Sequence, residues 1–190
     1  MIYVGDIHGH FGFMKDFALG NPEKPMIQVG DFGIGFGEPV PELPSNLKFI
    51  RGNHDDPELC QASPNYLGDF GMQDGIFFAG GADSIDKLHR KRFISWWPNE
   101  QLTYSQQMKA MDLYRECLPR IVVTHDCPDS VCTELFQIWQ GNSTRSFLQE
   151  LLEIHKPQYW IFGHHHKSRC KVIQGTTFHC LAEFEAKEIL

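Results

Sequence analysis

Five times in this chain a short apolar run stops at a residue that can hold a metal ion. Ile2–Val4 leads into Gly5-Asp6, Met26–Val29 into Gly30-Asp31 and Leu47–Ile50 into Arg51-Gly52-Asn53. Ile121–Val123 leads into Thr124-His125, and Tyr159–Phe162 into Gly163-His164. Runs of this length read as buried strands. Helical patterns separate them. Phe11–Leu19 stops at Gly20-Asn21-Pro22, and Leu102–Cys117 has helical content. A third helix, capped by Ser143 or Thr144, carries the stripe Phe147, Leu148, Leu151, Leu152 and Ile154 and ends before Pro157. Tyr66–Ala79 suits a hairpin, as do Arg169–Ile173 and Thr176–Leu181 around Gln174-Gly175. Strands alternating with helices imply an α/β architecture. Functional groups in such sheets gather at the carboxyl ends of the strands, so the five ends are expected to converge.

The spacing within two of these segments is informative. In Gly5-Asp6-Ile7-His8-Gly9 and Gly163-His164-His165-His166, extended backbone would put residues two apart on one face. Asp6 with His8, and His164 with His166, then form two halves of a metal site, with His165 pointing away. Asp31, Asn53 and His125 raise the potential ligands to seven. Asp offers hard oxygen and His borderline nitrogen, a mixture suited to Mn²⁺, Fe, Zn²⁺ or Ni²⁺ rather than an all-oxygen Ca²⁺ cage. Two metal ions close together need a bridging group, and Asp31, alone between the paired sets, is the natural carboxylate for it. The residues suggest a dinuclear metal hydrolase.

Composition narrows the class further. The chain has 190 residues, the size of one domain spanning 1–190, with 42% hydrophobic and 22% charged residues. Its net charge of −7 disfavours a general grip on nucleic acid, although bound metal ions could supply positive charge locally. No run approaches the roughly 18 apolar residues of a membrane span. The N-terminus lacks a basic start, so a cytoplasmic location is the default expectation. Nothing points to an obligate protein partner. Six cysteines form no CxxC pair and read as free thiols, and Cys127 and Cys132 beside His125 fit a zinc knuckle poorly.

The ordered set GDIHG, GD, GNHD, a His after an apolar strand, and GHHH resembles the calcineurin-like metallophosphoesterases, in particular small bacterial and phage members. The resemblance runs from residue 5 to residue 166. It implies two mixed β-sheets packed face to face and flanked by helices, a four-layer αββα sandwich. It also implies that Asp6, His8, Asp31 and His166 hold one metal ion, most simply Mn²⁺, and that Asp31, Asn53, His125 and His164 hold a second. His54 would sit over the substrate and donate to a phosphate oxygen or protonate the leaving oxygen, while a metal-bridging hydroxide attacks phosphorus in line. Asp55 or Asp56 could orient His54, or Asp56 could cap the helix after Pro57. The protein Ser/Thr phosphatase branch continues its second motif as GDxxDRG. Here Gly30-Asp31-Phe32-Gly33-Ile34-Gly35 lacks the second Asp and the Arg. Arg51 could serve instead as a phosphate clamp; otherwise it is a surface ion pair. The cluster Lys87, His89, Arg90, Lys91 and Arg92 could steer an anionic substrate or simply be a solvated face. Trp96 and Trp97 could stack a nucleobase or form a pocket wall. The expected substrate is a phosphomonoester or phosphodiester, taken from a small molecule, a nucleotide or a nucleic-acid end. A nucleotide or 2′,3′-cyclic phosphodiesterase is a narrower alternative. A non-catalytic scaffold is the alternative from another class, although scaffolds of this kind typically lose ligands that this chain keeps.

Overall fold

The structure, a computed structural model, describes residues 1–37, 39 and 42–189. Positions 38, 40 and 41 of the Gly/Pro-rich loop after Asp31, and residue 190 of the expected 1–190 unit, lie outside the described residues. In chain order the elements are β1 (Ile2–Val4), α1 (Phe11–Leu19), β2 (Met26–Gln28), β3 (Leu47–Phe49), α2 (Pro57–Gln61), β4 (Phe70–Gln73), β5 (Ile76–Ala79), α3 (Tyr104–Cys117) and β6 (Ile121–Thr124). There follow α4 (Asp129–Phe136), α5 (Ser143–Ile154), β7 (Tyr159–Phe162), β8 (Arg169–Ile173), β9 (Thr176–Cys180) and β10 (Ala186–Glu188).

Two mixed sheets result. One has the order β10-β1-β2-β3, with β1, β2 and β3 parallel and β10 antiparallel at the edge. The other has the order β4-β5-β6-β7-β9-β8, with four parallel central strands and an antiparallel strand at each edge. Strand alternation divides the apolar side chains into three cores. Tyr3, Ile27, Phe78, Val123 and Ile161 face one another between the sheets. Val4, Met26, Leu47 and Phe49 turn to the opposite face of the first sheet and pack on Met14 and Ala18 of α1. Phe77, Val122, Trp160 and Phe178 leave the second sheet on its outer face and meet Ala110, Val131 and Leu151 of α3, α4 and α5. Helix, sheet, sheet, helix is the layer order that these faces require.

The cap of α5 differs from expectation. Asn142, one residue earlier than Ser143, accepts a hydrogen bond from the Arg145 N–H at 2.9 Å. Asn is at least as good an N-cap as Ser or Thr. The eight-residue α4 and the edge strand β10 were not evident in the sequence. Ala186-Lys187-Glu188 offers no apolar stripe, and its register against β1 decides its conformation.

Candidate metal centre

The five ligand-bearing strand ends meet in one place, but not through strand alternation. β1 stops at Val4 and β7 at Phe162, so Asp6, His8, His164 and His166 all lie in turns beyond the strands. His8, Asp31, His164 and His166 have φ of 43°, 54°, 64° and 50°. Left-handed backbone at non-glycine residues costs about 1 kcal/mol or more each and persists where the surroundings fix it. Here the turns fix one another. The N–H groups of Ile7 and His8 donate to the Asp31 carbonyl at 3.1 and 3.0 Å, and the His164 N–H donates to the Asp6 carboxylate at 3.1 Å. His164 and His166 consequently face different groups instead of forming one pair.

Asp6, His8, Asp31 and His166 bring one donor atom each to within 4.8 Å of one another, and Asp31, His125 and His164 do the same. Asp31 belongs to both groups. His8 Nε2 and His166 Nε2 stand 3.1 Å apart, and His166 Nε2 lies 3.1 Å from Asp6 Oδ2. Imidazole nitrogens gathered beside buried carboxylates form a mixed donor set that suits a divalent ion. The residues therefore fit the metal ions that the donor chemistry implies.

The electrostatics agree. Burial alone would depress the His125 pKa, but Asp31, 3.2 Å away, raises it to about 10. Asp31 itself is held well below the usual carboxylate range: burial opposes ionisation, and His125 outweighs it. A cation entering this pair displaces the imidazole proton. Burial, reinforced by the neighbouring His125, lowers His164 to about 3 and keeps its lone pair free.

A surrounding layer orients the donors. His125 Nδ1 donates to the Val29 carbonyl at 3.0 Å, which turns Nε2 toward Asp31. The Asn53 amide donates to Ser84 Oγ at 3.0 Å, and Ser84 Oγ donates to Glu100 at 2.6 Å. That leaves Asn53 Oδ1 facing the centre, 3.2 Å from His125 Nε2. Ser84 and Glu100 carry no motif, and their 16-residue separation hides the pairing from sequence. Glycine is required beneath the donors. A Cβ on Gly52 would lie 2.0 Å from Asp31 Oδ1, and one on Gly163 would lie 2.1 Å from Asp6 Oδ1.

The structure decides several expectations about neighbouring residues. Arg51 is not a phosphate clamp, nor a surface pair. It is 2% exposed, its Nε donates to Asp69 at 2.7 Å, and its Nη1 donates to the Glu100 carbonyl. Buried in this way, the guanidinium does not line the cavity over Asp31 and His54. Arg51→Met is expected to destabilise the fold by about 3 kcal/mol, the usual effect of breaking a buried pair. Urea unfolding checks this, and a raised KM at unchanged stability would restore the clamp. Asp55 does not orient His54. Its buried carboxylate accepts the N–H groups of Phe32, Gly33, Ile34 and Gly52 at 2.7–3.1 Å and so ties the Asp31 loop to the Asn53 loop. Asp56 caps α2 through the Glu58 N–H at 2.9 Å. Within the basic cluster, Lys87 pairs with Asp83 at 2.8 Å and Arg90 with Asp86 at 2.7 Å. Trp97 is buried against Phe36, leaving no face for a base.

His54 lies outside both donor groups. Its ring centroid is 5.2 Å from that of His8, and its backbone N–H donates to Asp31 Oδ1 at 2.8 Å. The Arg90 guanidinium, always a donor, lies 2.6 Å from His54 Nε2. Burial lowers the His54 pKa, and Arg90 adds to the effect against the opposing charge of Asp31. Arg90 was hidden within a charge run, and only its position distinguishes it. A cavity of about 650 Å³ opens over Asp31, Asn53, His54, Arg90, Arg145 and His164. His165 turns away from Asp31, stacks on Phe136 at 4.0 Å between centroids and lies 3.2 Å from Asp126 Oδ1.

The family model of the calcineurin-like phosphoesterases matches residues 2–168. No curated protein matches the sequence. Among solved structures, TT1561 of Thermus thermophilus superposes with a TM-score of 0.53 at 12% identity, over 96% of this chain and 89% of that one. A predicted phosphoesterase of Streptococcus pneumoniae gives 0.47 at 12% identity, over 96% and 72%. The phosphopantetheinyl hydrolase of Mycobacterium tuberculosis gives 0.47 at 14%, over 95% and 89%. At these identities the likeness concerns the fold alone. No helix among the described residues is long and apolar enough to cross a membrane.

Proposed function

The chain belongs to the calcineurin-like phosphoesterase family, which hydrolyses phosphate esters with divalent metal ions, and on that premise we propose that it is a dinuclear enzyme acting on small phosphate esters, with Mn²⁺ the preferred ion. One observation carries the reading: two donor groups share Asp31, whose Oδ1 also takes the backbone N–H of His54. Asp6, His8, Asp31 and His166 would hold one ion, and Asp31, Asn53, His125 and His164 would hold the other. When bound, such ions would neutralise phosphate charge and lower the pKa of a water.

The chain's own residues do the rest. His54 meets the phosphate or the leaving oxygen from the cavity side. Arg90, held by Asp86 and the Ser95 carbonyl and resting on His54 Nε2, lines the cavity with two of its five N–H groups left for a phosphate oxygen. The Asp55 carboxylate keeps the two ligand loops in register. Ile85 and Ile138 beside Gln140 and Asn142 give the cavity an apolar wall with amide groups, which suits an organic leaving group such as a nucleoside.

The test is metal removal and return. Chelator-stripped protein is expected to be inactive on aryl phosphates, aryl phosphodiesters and 2′,3′-cyclic nucleotides, and to regain turnover with Mn²⁺. Unchanged turnover after stripping sinks the proposal, as does folded protein that stays inactive with Mn²⁺, Fe²⁺, Ni²⁺ and Zn²⁺ on every ester.

A further inference from the structure

Behind the phosphoesterase cleft lies a donor group of different chemistry. The loop leaving β6 carries Cys127 two residues after His125, and the next helix, α4, carries Cys132. His165 arrives from the loop after β7. Cys127 Sγ, Cys132 Sγ and a His165 ring nitrogen lie within 4.8 Å of one another, and Cys127 Sγ is 3.7 Å from His165 Nε2. Cys127 and Cys132 are 0% and 1% exposed, and neither is in a disulfide. Phe136, four residues beyond Cys132, stacks on the His165 ring at 17° and fixes its plane. Nε2 is thereby turned toward the thiols.

We propose that Cys127, Cys132 and His165 bind a thiophilic divalent ion of the Zn²⁺ class, separate from the ions of the phosphoesterase centre. Zn²⁺ sits about 2.3 Å from sulfur and about 2.0–2.1 Å from nitrogen, which puts tetrahedral donors roughly 3.5 Å apart. The Cys127–His165 separation of 3.7 Å is close to that before any ion enters. Binding converts two thiols to thiolates and releases their two protons to solvent. His165 Nε2 exchanges its contact with Asp126 Oδ1 for the ion, while Asp126 keeps the Cys127 N–H at 2.8 Å and Arg145 Nε at 2.8 Å. Thiolates favour Zn²⁺ or Cd²⁺, whereas the Asp/His donors of the other centre take harder ions. The site ties α4 to the turn that carries His164 and His166, so it braces one wall of the cleft. A knuckle of Cys127 and Cys132 with His125 fits the spacing poorly, and His125 faces Asp31; the third donor comes from residue 165. The inference does not rest on the phosphoesterase reading.

Cobalt distinguishes the two kinds of site, because only thiolate ligands give an intense sulfur-to-cobalt charge-transfer band in the near ultraviolet. Full-length stripped protein titrated with Co²⁺ is expected to develop that band, and Zn²⁺ should bleach it. Asp31→Asn should keep the band, and Cys132→Ser should abolish it. If Cys132→Ser fails to fold, His165→Gln keeps both thiols and is expected to weaken Zn²⁺ roughly tenfold or more against a chromophoric chelator. The proposal is overturned by absence of the band in wild-type protein, by its survival in Cys132→Ser, by unchanged Zn²⁺ affinity in His165→Gln, or by a Cys127–Cys132 disulfide in protein prepared without oxidant.

Discussion

Asp31→Asn is expected to lower the metal content of the purified protein from about two equivalents to less than one, and to reduce turnover at least about a thousandfold. The size of the effect follows from the sharing of this carboxylate by both donor groups. Asp6 and Asp31 are the only carboxylates in those groups. Neutralising Asp31 halves the anionic charge that offsets the mutual repulsion of two dications. His8 belongs to one group only, so His8→Ala should lose about one equivalent and leave the other ion in place. Asn is the informative replacement because its oxygen can still accept the His54 N–H that Asp31 Oδ1 now takes at 2.8 Å. The loop geometry therefore survives while the charge goes. Elemental analysis beside a circular dichroism spectrum reads the result. If Asp31→Asn retains both ions, or loses no more than His8→Ala does, Asp31 is not shared.

The contrast between Asp31 and Arg51 shows what a sequence can convey about this site. A ligand at the end of an apolar strand announces its place, because the strand fixes where its carboxyl end must be. The meeting of Asp6, Asp31, Asn53, His125 and His164 in one place was legible for that reason, and the α/β layering with it. Arg51 occupies a similar position beside Gly52, but its burial under Gly80 and Gly81 depends on a hairpin and a loop that reach it from far along the chain. No local pattern encodes that. Ser84 and Glu100, which orient Asn53, are hidden likewise, since a serine and a glutamate 16 residues apart carry no period. Arg90 and Lys87 read alike within one charge run, yet the ion pair with Asp86 places Arg90 against His54, whereas Lys87 stays exposed on Asp83. Strand alternation is not the geometry that brings these residues together. It is left-handed turns at His8, Asp31, His164 and His166 that aim the donors, and positive φ at residues other than glycine has no reliable signature in composition.

His54→Ala is expected to cut kcat by about a hundredfold to ten-thousandfold on an alkyl phosphate while leaving metal content at wild-type level, which is the range associated with loss of a positioned acid. Metal retention follows from geometry: His54 is in neither donor group, and its contribution to Asp31 is through the backbone N–H, which alanine keeps. The effect should depend on the ester. A poor alkoxide leaving group needs a proton as the bond to phosphorus breaks, whereas a nitrophenolate does not. Across a series of esters, the penalty for His54→Ala should therefore shrink as the leaving group becomes more acidic. Arg90→Ala tests the neighbouring role. Its guanidinium reaches His54 Nε2 and the cavity but no donor atom of the centre, so its loss should raise KM by roughly tenfold, the value of one charge-assisted contact, with a smaller change in kcat. Removing Arg90 also relieves one of the influences that depress the His54 pKa, so the variant's imidazole should hold its proton to higher pH than the wild-type one. A penalty for His54→Ala that is the same for every leaving group would assign His54 to phosphate binding instead of proton donation. Loss of metal from the same variant would place it among the ligands.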